Sequence, residues 1–432
     1  MKRAQGVVCT LAVLVAGTWL ATRAQNVEAQ TVVPATGTQG KVHILPATME
    51  TTQWGWYDNA QKPVLMVKPG DTIIMETMMH FHDQFMPGKT LQDLAKIRAD
   101  NPGRGAHTLT GPIYVDGAEP GDVLKVRINK IVPRAYGMNV NYPGVAGLFP
   151  KEFPDGQIRL MYLDWDKKVA EFLPGVILPL RPFPGILGVA RAESGRYSTV
   201  PPGRYGGNLD LRELTAGTSL HVPVFVKGAL LWASDGHAAQ GNGEINLTAI
   251  ETAFKEFNIT VDLIKGRSLE WPRVETPTHW LTVGYDEDLN KALDILKAET
   301  AKFIAEQRGV SVADAQRIMQ QTWDCRIAEV VNIVKGAYCF NSKDTKAKAP
   351  GALPTKETAT DYVAHGRNAD LNKAMEEAAM GMINLLVEKR KLTRLDAYGL
   401  TSIAGDCRLG ATSEAEKNVH CLTPKSLWQA PR

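Results

Sequence analysis

The C-terminal third of the chain is written twice. DLNKA stands at 288–292 and again at 370–374, DCR at 324–326 and again at 406–408, and Cys339 is answered by Cys421. Each offset is 82 residues (370−288, 406−324, 421−339). The copies therefore align without a gap, and a tandem duplication is the economical explanation. The pattern inside them is helical: Leu289, Leu293, Leu296, Phe303 and Ile304 fall on roughly one face. Ser311 with Asp314, and Thr393 with Asp396, have the spacing of a capping box. The expectation is a helical region at 276–343, a linker at 344–357 (DTKAKAPGALPTKE) and a second helical copy at 358–432.

The segment before it reads differently. PVLMVKPGDTIIMET and GPIYVDGAEPGDVLKVRI each pair two strand-like runs around a Pro-Gly-Asp turn. In such turns Asp71 and Asp122 serve the backbone. Glycine and proline recur at short spacing through 41–265, which favours a β-sandwich over alternating strands and helices. The fold class expected is mainly β, sandwich-like, with the duplicated helical region behind it, α+β overall. The β-rich core is placed at 30–275.

The first 29 residues read as a secretory leader. MKRAQ is basic, the following apolar run is shorter than the roughly 20 residues of a membrane span, and small residues precede sites after Ala24 and Ala29. The mature protein is then expected outside the cytoplasm, periplasmic or secreted, with no membrane attachment. Cleavage after Ala24 removes Lys2, Arg3 and Arg23, which leaves 46 basic against 46 acidic residues. That balance gives no reason to expect nucleic acid as a partner. Four cysteines remain, an even number in an exported chain, and they are expected to be oxidised. Symmetry between the copies leaves two pairings: Cys325–Cys339 with Cys407–Cys421, or Cys325–Cys407 with Cys339–Cys421. The local pairs are preferred, because they form without the copies docking.

The stretch ASDGHAAQGNGE, 233–244, gathers Asp235, His237, Gln240, Asn242 and Glu244 among three glycines. Alternation along an extended chain puts Asp235 with His237, and Gln240 with Asn242 and Glu244. A carboxylate beside an imidazole orients a general base or shares a divalent metal. Gly236 and Gly241 leave room for a small ligand. In HFHD, His80 and His82 would share a face and chelate one metal if extended. No G-x-S-x-G elbow, phosphate loop or dinucleotide fingerprint occurs.

Several long stretches resemble the acetamidase/formamidase family: HILPATMETTQWGWYD (43–58), PVLMVKPGDTIIMET (63–77), HTLTGPIYVDGAEPGDVLKVRI (107–128), 198–245 with GGNLD and DGHAAQG, and TPTHWLTVGYDEDL (276–289). The resemblance implies hydrolysis of short aliphatic amides to a carboxylate and ammonia, a divalent metal (zinc or calcium), and a homo-oligomer. With the resemblance beside the residues' own chemistry, Asp235, His237, Glu244 and His107 are read as catalytic and Gly207, Asn208, Gln240 and Asn242 as substrate-binding, while the HFHD spacing and the GGNLD turn put His80, His82 and Asp210 forward as metal ligands. His279 also matches. Ser234, Asn242 and Met79 stand where the family pattern carries other residues. Those departures support an alternative, an exported binding protein for a small amide-like solute. All motifs lie before the linker, so the second copy is expected to be dispensable for the chemistry.

Overall fold

The computed structural model describes residues 40–428, apart from 145, 348–349 and 414. The expected leader at 1–29 lies outside the described residues. From 40 to 275 the chain is mostly strand and turn. The two Pro-Gly-Asp turns are built as the sequence suggests. Asp71 accepts from the amides of Lys41 and Lys68, and Asp122 from those of Glu119 and Gly266. Each turn hands the chain from one sheet to the other. Leu65–Val67 and Thr108–Val115 lie in an 11-stranded sheet, while Thr72–Met75 and Val123–Pro133 lie in a 12-stranded one. The sheets face each other across one core. Leu124, Val126 and Ile128 of the larger join Ile113, Ile186, Leu187 and Trp232 of the smaller, all fully buried.

Beyond residue 278 the chain forms two successive units of strand, helix, helix, strand, strand. The first comprises His279–Asp286, Leu289–Arg308, Val312–Gln321, Cys325–Glu329 and Lys335–Ser342. The second comprises Asp361–Asn368, Leu371–Arg390, Arg394–Ala404, Asp406–Thr412 and Lys417–Pro424. The helices sit where the periodicity predicts. Leu289, Leu293, Leu296, Phe303 and Ile304 are all buried, and Ser311 and Thr393 cap the second helix of each unit. The strands were not expected. Runs such as LTVGY and GAYCF are buried on both faces and show no polar alternation, so they carry no period-2 signal. These strands extend the larger sheet without a break, His279–Asp286 pairing with Arg273–Glu275. The disulfides are the local ones, Cys325–Cys339 and Cys407–Cys421. Each joins facing residues of neighbouring strands.

The two units dock symmetrically. Cys325–Glu329 pairs antiparallel with Asp406–Thr412, and Arg326 faces Arg408; these arginines are themselves 82 positions apart. At the helix starts, Asn290 Nδ2 donates to Asp370 Oδ1 at 2.8 Å while Asn372 Nδ2 donates to Asp288 Oδ1 at 2.8 Å. The amide of Leu371 donates to Asn290 Oδ1 and that of Leu289 to Asn372 Oδ1. Each of these four helix-start contacts is matched by its counterpart with the units exchanged. This is the isologous pattern of a two-fold dimer interface, here inside one chain.

Candidate active site

The strand Leu231–His237 runs through the smaller sheet between Phe183–Val189 and Glu251–Thr252. It is buried from end to end, yet it ends in Ser-Asp-Gly-His. Ionisable groups in such a place need partners, and here they find one another. His237 Nε2 lies 3.4 Å from Asp235 Oδ2 and 3.2 Å from Glu251 Oε2. His80 Nε2 lies 2.7 Å from Asp235 Oδ1 and 3.5 Å from Glu251 Oε2. His107 Nε2 is 3.7 Å from Asp235 Oδ2. Behind His237, its Nδ1 contacts Gln240 Oε1 at 2.8 Å, and Asp210 Oδ1 is 3.7 Å away. Gln240 in turn donates to the Asp210 carbonyl, so the amide fixes the imidazole against the backbone.

Three features mark the cluster as built for a ligand. Asp210, Asp235 and Glu244 all hold left-handed backbone, with φ of 43°, 56° and 47°. That conformation is strained for an ordinary side chain and concentrates at functional sites. Asp210 Oδ1 and Glu244 Oε2 are buried with no hydrogen-bond partner, each costing about 1–3 kcal/mol if left so. Gly185 lies at the base: a Cβ there would come within 2.6 Å of Asp210 Oδ1 and Asp235 Oδ2 and 2.8 Å of the His237 ring.

Burial and charge separate the protonation states. Burial disfavours the charged form of His237, but the neighbouring Glu251 and Asp235 carboxyls outweigh it and hold its pKa well above the usual histidine value. Burial opposes ionisation of Asp235 too, and the His237 and His107 rings beside it reverse the balance and pull it well down. Burial, reinforced by the Asp210 carboxyl, pushes Glu244 well up. Burial drives His107 down to about 4.

Among the described residues, three overlapping groups could hold a metal ion: His80, His107 and Asp235; Asp235, His237 and Glu251; Asp210, His237 and Glu244. Ligand atoms on a tetrahedral zinc lie ~3.3 Å apart when the bonds are ~2.0–2.1 Å. The separations around Asp235 and Glu251 scatter about that value.

The structure thus brings together Asp235, His237, Glu244, His107, His80, Asp210 and Gln240. The remaining residues singled out in the sequence go elsewhere. His82 does not converge with His80, because Phe81, His82 and Asp83 take left-handed backbone (φ 57°, 54° and 62°) and the chain is not extended there. His82 contacts Thr52 at 3.3 Å beside Trp54 instead. Asn242 turns away from His237 to Asp406 and Tyr338. Gly207 lies against the Tyr205 ring, and Asn208 donates to the Val200 carbonyl. His279 bonds Thr278 on the first unit. Gly236 and Gly241 do not leave room for a ligand. A Cβ on Gly236 would meet Thr252 O and Phe254, and one on Gly241 would meet Gly405 O at 2.5 Å. Their role is close packing of backbone.

Sequence reasoning missed Glu251, Asn332 and Glu329. Asn332 Nδ2 donates to Asp210 Oδ2. Glu329, pushed up to about 8 by burial, accepts from the amides of Val331 and Asn332. Glu251 and Glu329 are single acids in apolar runs, TAIETAF and IAEVV, and that isolation was the available signal.

The sequence model of the Acetamidase/Formamidase family matches residues 47–196 and 190–415. An acetamidase of Mycolicibacterium smegmatis is 32% identical over 259 residues, 46% of this chain and 63% of its own length. A formamidase of Methylophilus methylotrophus is 29% identical over 265 residues, 47% of this chain and 61% of its own. The chain thus spans less than two-thirds of the length of these curated relatives. A crystal structure of an acetamidase from Bacillus halodurans superposes with a TM-score of 0.63 at 29% identity, covering 69% of this chain and 97% of that one.

Proposed function

Because the chain belongs to the acetamidase/formamidase family, we propose that it hydrolyses the C–N bond of short aliphatic amides such as formamide and acetamide to a carboxylate and ammonia. The observation that carries this reading is the convergence of His80, His107, His237, Asp235 and Glu251 on one buried point, with the carboxyls of Asp210 and Glu244, their pKa values raised by burial, behind His237. The cluster is open chiefly at His80 and His107, whose side chains are 12% and 10% exposed against 1–4% for Asp235, His237 and Glu251. A site this enclosed suits a substrate of a few atoms.

The residues fit a divalent metal. Three imidazoles and unsatisfied carboxyl oxygens are the donor set of zinc rather than of calcium, which prefers six to eight oxygens. We propose zinc held by His80, His107 and Asp235, with Glu251 and His237 flanking. When bound, such an ion acidifies a water and polarises a carbonyl. The chain supplies the rest. Gln240 fixes the His237 ring through Nδ1, so that Nε2 faces the reacting point. Glu244, whose pKa burial and the Asp210 carboxyl raise well above the usual carboxylate value, groups with Asp210 and His237 and is the acid we assign to the departing nitrogen. The packed walls exclude bulk water, which strengthens each of these interactions.

The alternative of a binding protein loses its support in the geometry. Ser234 Oγ donates to the Thr108 carbonyl, Met79 is packed beside Trp54, and Asn242 engages Asp406. All three departures lie outside the cluster. The test is ammonia release from formamide and acetamide, with and without chelator, on wild type and His237→Ala. We expect chelator-sensitive turnover, and a loss of at least about a hundredfold in a folded His237→Ala. Full turnover in that variant would remove the assignment.

Two further readings are supported without being central. We propose export, consistent with two disulfides; among the described residues no helix is long and apolar enough to cross a membrane. N-terminal sequencing of native protein should find a start near Gln25 or Gln30. We also propose that the two C-terminal units arose by tandem duplication, as their constant 82-residue offset suggests.

A further inference from the structure

The loop from Gln240 to Asn246 carries site residues, yet it is held from outside the sandwich, and from both units at once. The amide of Gly243 donates to Ala328 O of the first unit and that of Val330 to Gly243 O. The second unit holds the other side. Gly241 donates to Ser402 O and Asn242 to Gly405 O, each at 2.8 Å. Asn246 N donates to Ser402 Oγ, and Tyr398 OH to Ile245 O. At the centre, Asn242 Nδ2 donates to Asp406 Oδ1 at 2.5 Å while Asn242 Oδ1 accepts from Tyr338 OH at 3.0 Å. Gln240, which fixes His237, and Glu244, the buried acid, lie two residues either side of Asn242.

Asp406 is itself braced. Arg212 donates to its Oδ1 at 2.9 Å, and Arg408 to its Oδ2 at 2.7 Å. Burial works against its charge, but Arg212, Arg408 and Arg326 outweigh it and hold its pKa at about 2. It therefore presents a fixed anion at any working pH. Its counterpart in the first unit, Asp324, has no such role: it faces Arg326 at 3.1 Å and is partly exposed. Equivalent residues do different jobs, so the contact to Asn242 is not a by-product of the strand's own packing.

We propose that Asp406 is a positioning residue of the active site, holding Asn242 and through it the backbone that places Gln240 and Glu244. The second unit is then part of the catalytic assembly rather than an appendage, contrary to what the order of motifs along the chain suggests. The catalytic consequence rests on the amidase reading; the positioning itself does not. A misplacement of about 1 Å at such a loop suffices for a rate loss of the order of a hundredfold.

The test exchanges donor and acceptor. Asp406→Asn, Asn242→Asp and the double variant are compared with wild type by hydrogen exchange of peptides covering 240–246 and by kcat and KM on formamide. In Asp406→Asn we expect exchange of 240–246 to rise at least tenfold while that of Phe183–Val189 is unchanged. kcat should fall at least tenfold with KM within twofold. Asn242→Asp should behave alike, since it sets two carboxylates against each other. The double variant should return both readouts to within about threefold of wild type. The proposal is overturned if 240–246 exchanges as in wild type, if exchange rises evenly through the sheets, or if the double variant is no better than the singles. Should Asp406→Asn fail to fold, Asn242→Ala leaves the arginine cluster its carboxylate and carries the same expectation. Should wild type turn over no amide, the amidase reading fails, and the exchange pattern still decides the positioning claim.

Discussion

At the scale of single residues, the site depends on one position with no side chain. Gly185 lies where any Cβ would strike Asp210, Asp235 and His237 together. Its backbone, in Phe183–Val189, is pinned on both sides by the smaller sheet, so the site groups must move instead. Gly185→Ala should therefore lower turnover at least about a hundredfold with little change in unfolding temperature; near-normal kcat would show that the cluster tolerates the displacement. Asp235 and His237 were legible in the sequence because a polar cluster amid glycines is conspicuous. Gly185 was not, because PFPGILGV looks like any buried strand. Glu251 escaped for a related reason: one acid in an apolar run gives no hint of which distant imidazole it meets.

At the scale of elements, pairing between strands fixes the pH response. His221, on Ser219–Pro223, is buried against Glu275 of the next strand, at 3.2 Å. Burial outweighs that partner and lowers its pKa to about 4, against about 6.5 in an unfolded chain. Between those values the unfolded chain binds a proton that the folded one refuses. Stability should thus fall as pH drops from about 6.5 to about 4, by up to ~1.4 kcal/mol per unit from this residue. His221→Gln should flatten that part of the profile of unfolding temperature against pH; an unaltered slope would assign it to other groups. The disulfides act at the same scale. Cys407–Cys421 closes a loop of about 15 residues, worth roughly 3 kcal/mol in the chain-entropy model. Replacing both cysteines with alanine should lower the unfolding temperature by several degrees, while non-reducing peptide mapping should recover only the local pairs. The helices and caps of these units were readable from their spacing. Their strands were not, because burial on both faces erases the alternation that reveals a strand.

At the scale of the whole molecule, the twelve-stranded sheet makes the sandwich and both units one continuous object. A chain ending at Lys343 would bare the edge Cys325–Glu329 and strip the 240–246 loop of half its partners. Bare edges seek pairs, and this face is complementary to its own equivalent. The truncated chain should therefore associate as a dimer through that face. Activity should follow the dimer, each Asp324 standing in for the missing Asp406. Light scattering with assays across dilution decides; a soluble, active monomer would contradict it. The sequence could show that a segment recurs, but not that the copies meet face to face, since the meeting is made by residues 80 and more positions apart. The same symmetry bears on how such a chain can diverge. Asp288 and Asp370, Asn290 and Asn372, and Arg326 and Arg408 are still alike, and each of them sits at the seam between the copies. Away from the seam the two units also keep their disulfides, the caps of their second helices and the glycines Gly284 and Gly366, each needed inside its own unit. At the seam a change on one side alters a contact that the other side repeats, so under the proposed duplication these positions are constrained as matched pairs, each half answering to its own reflection.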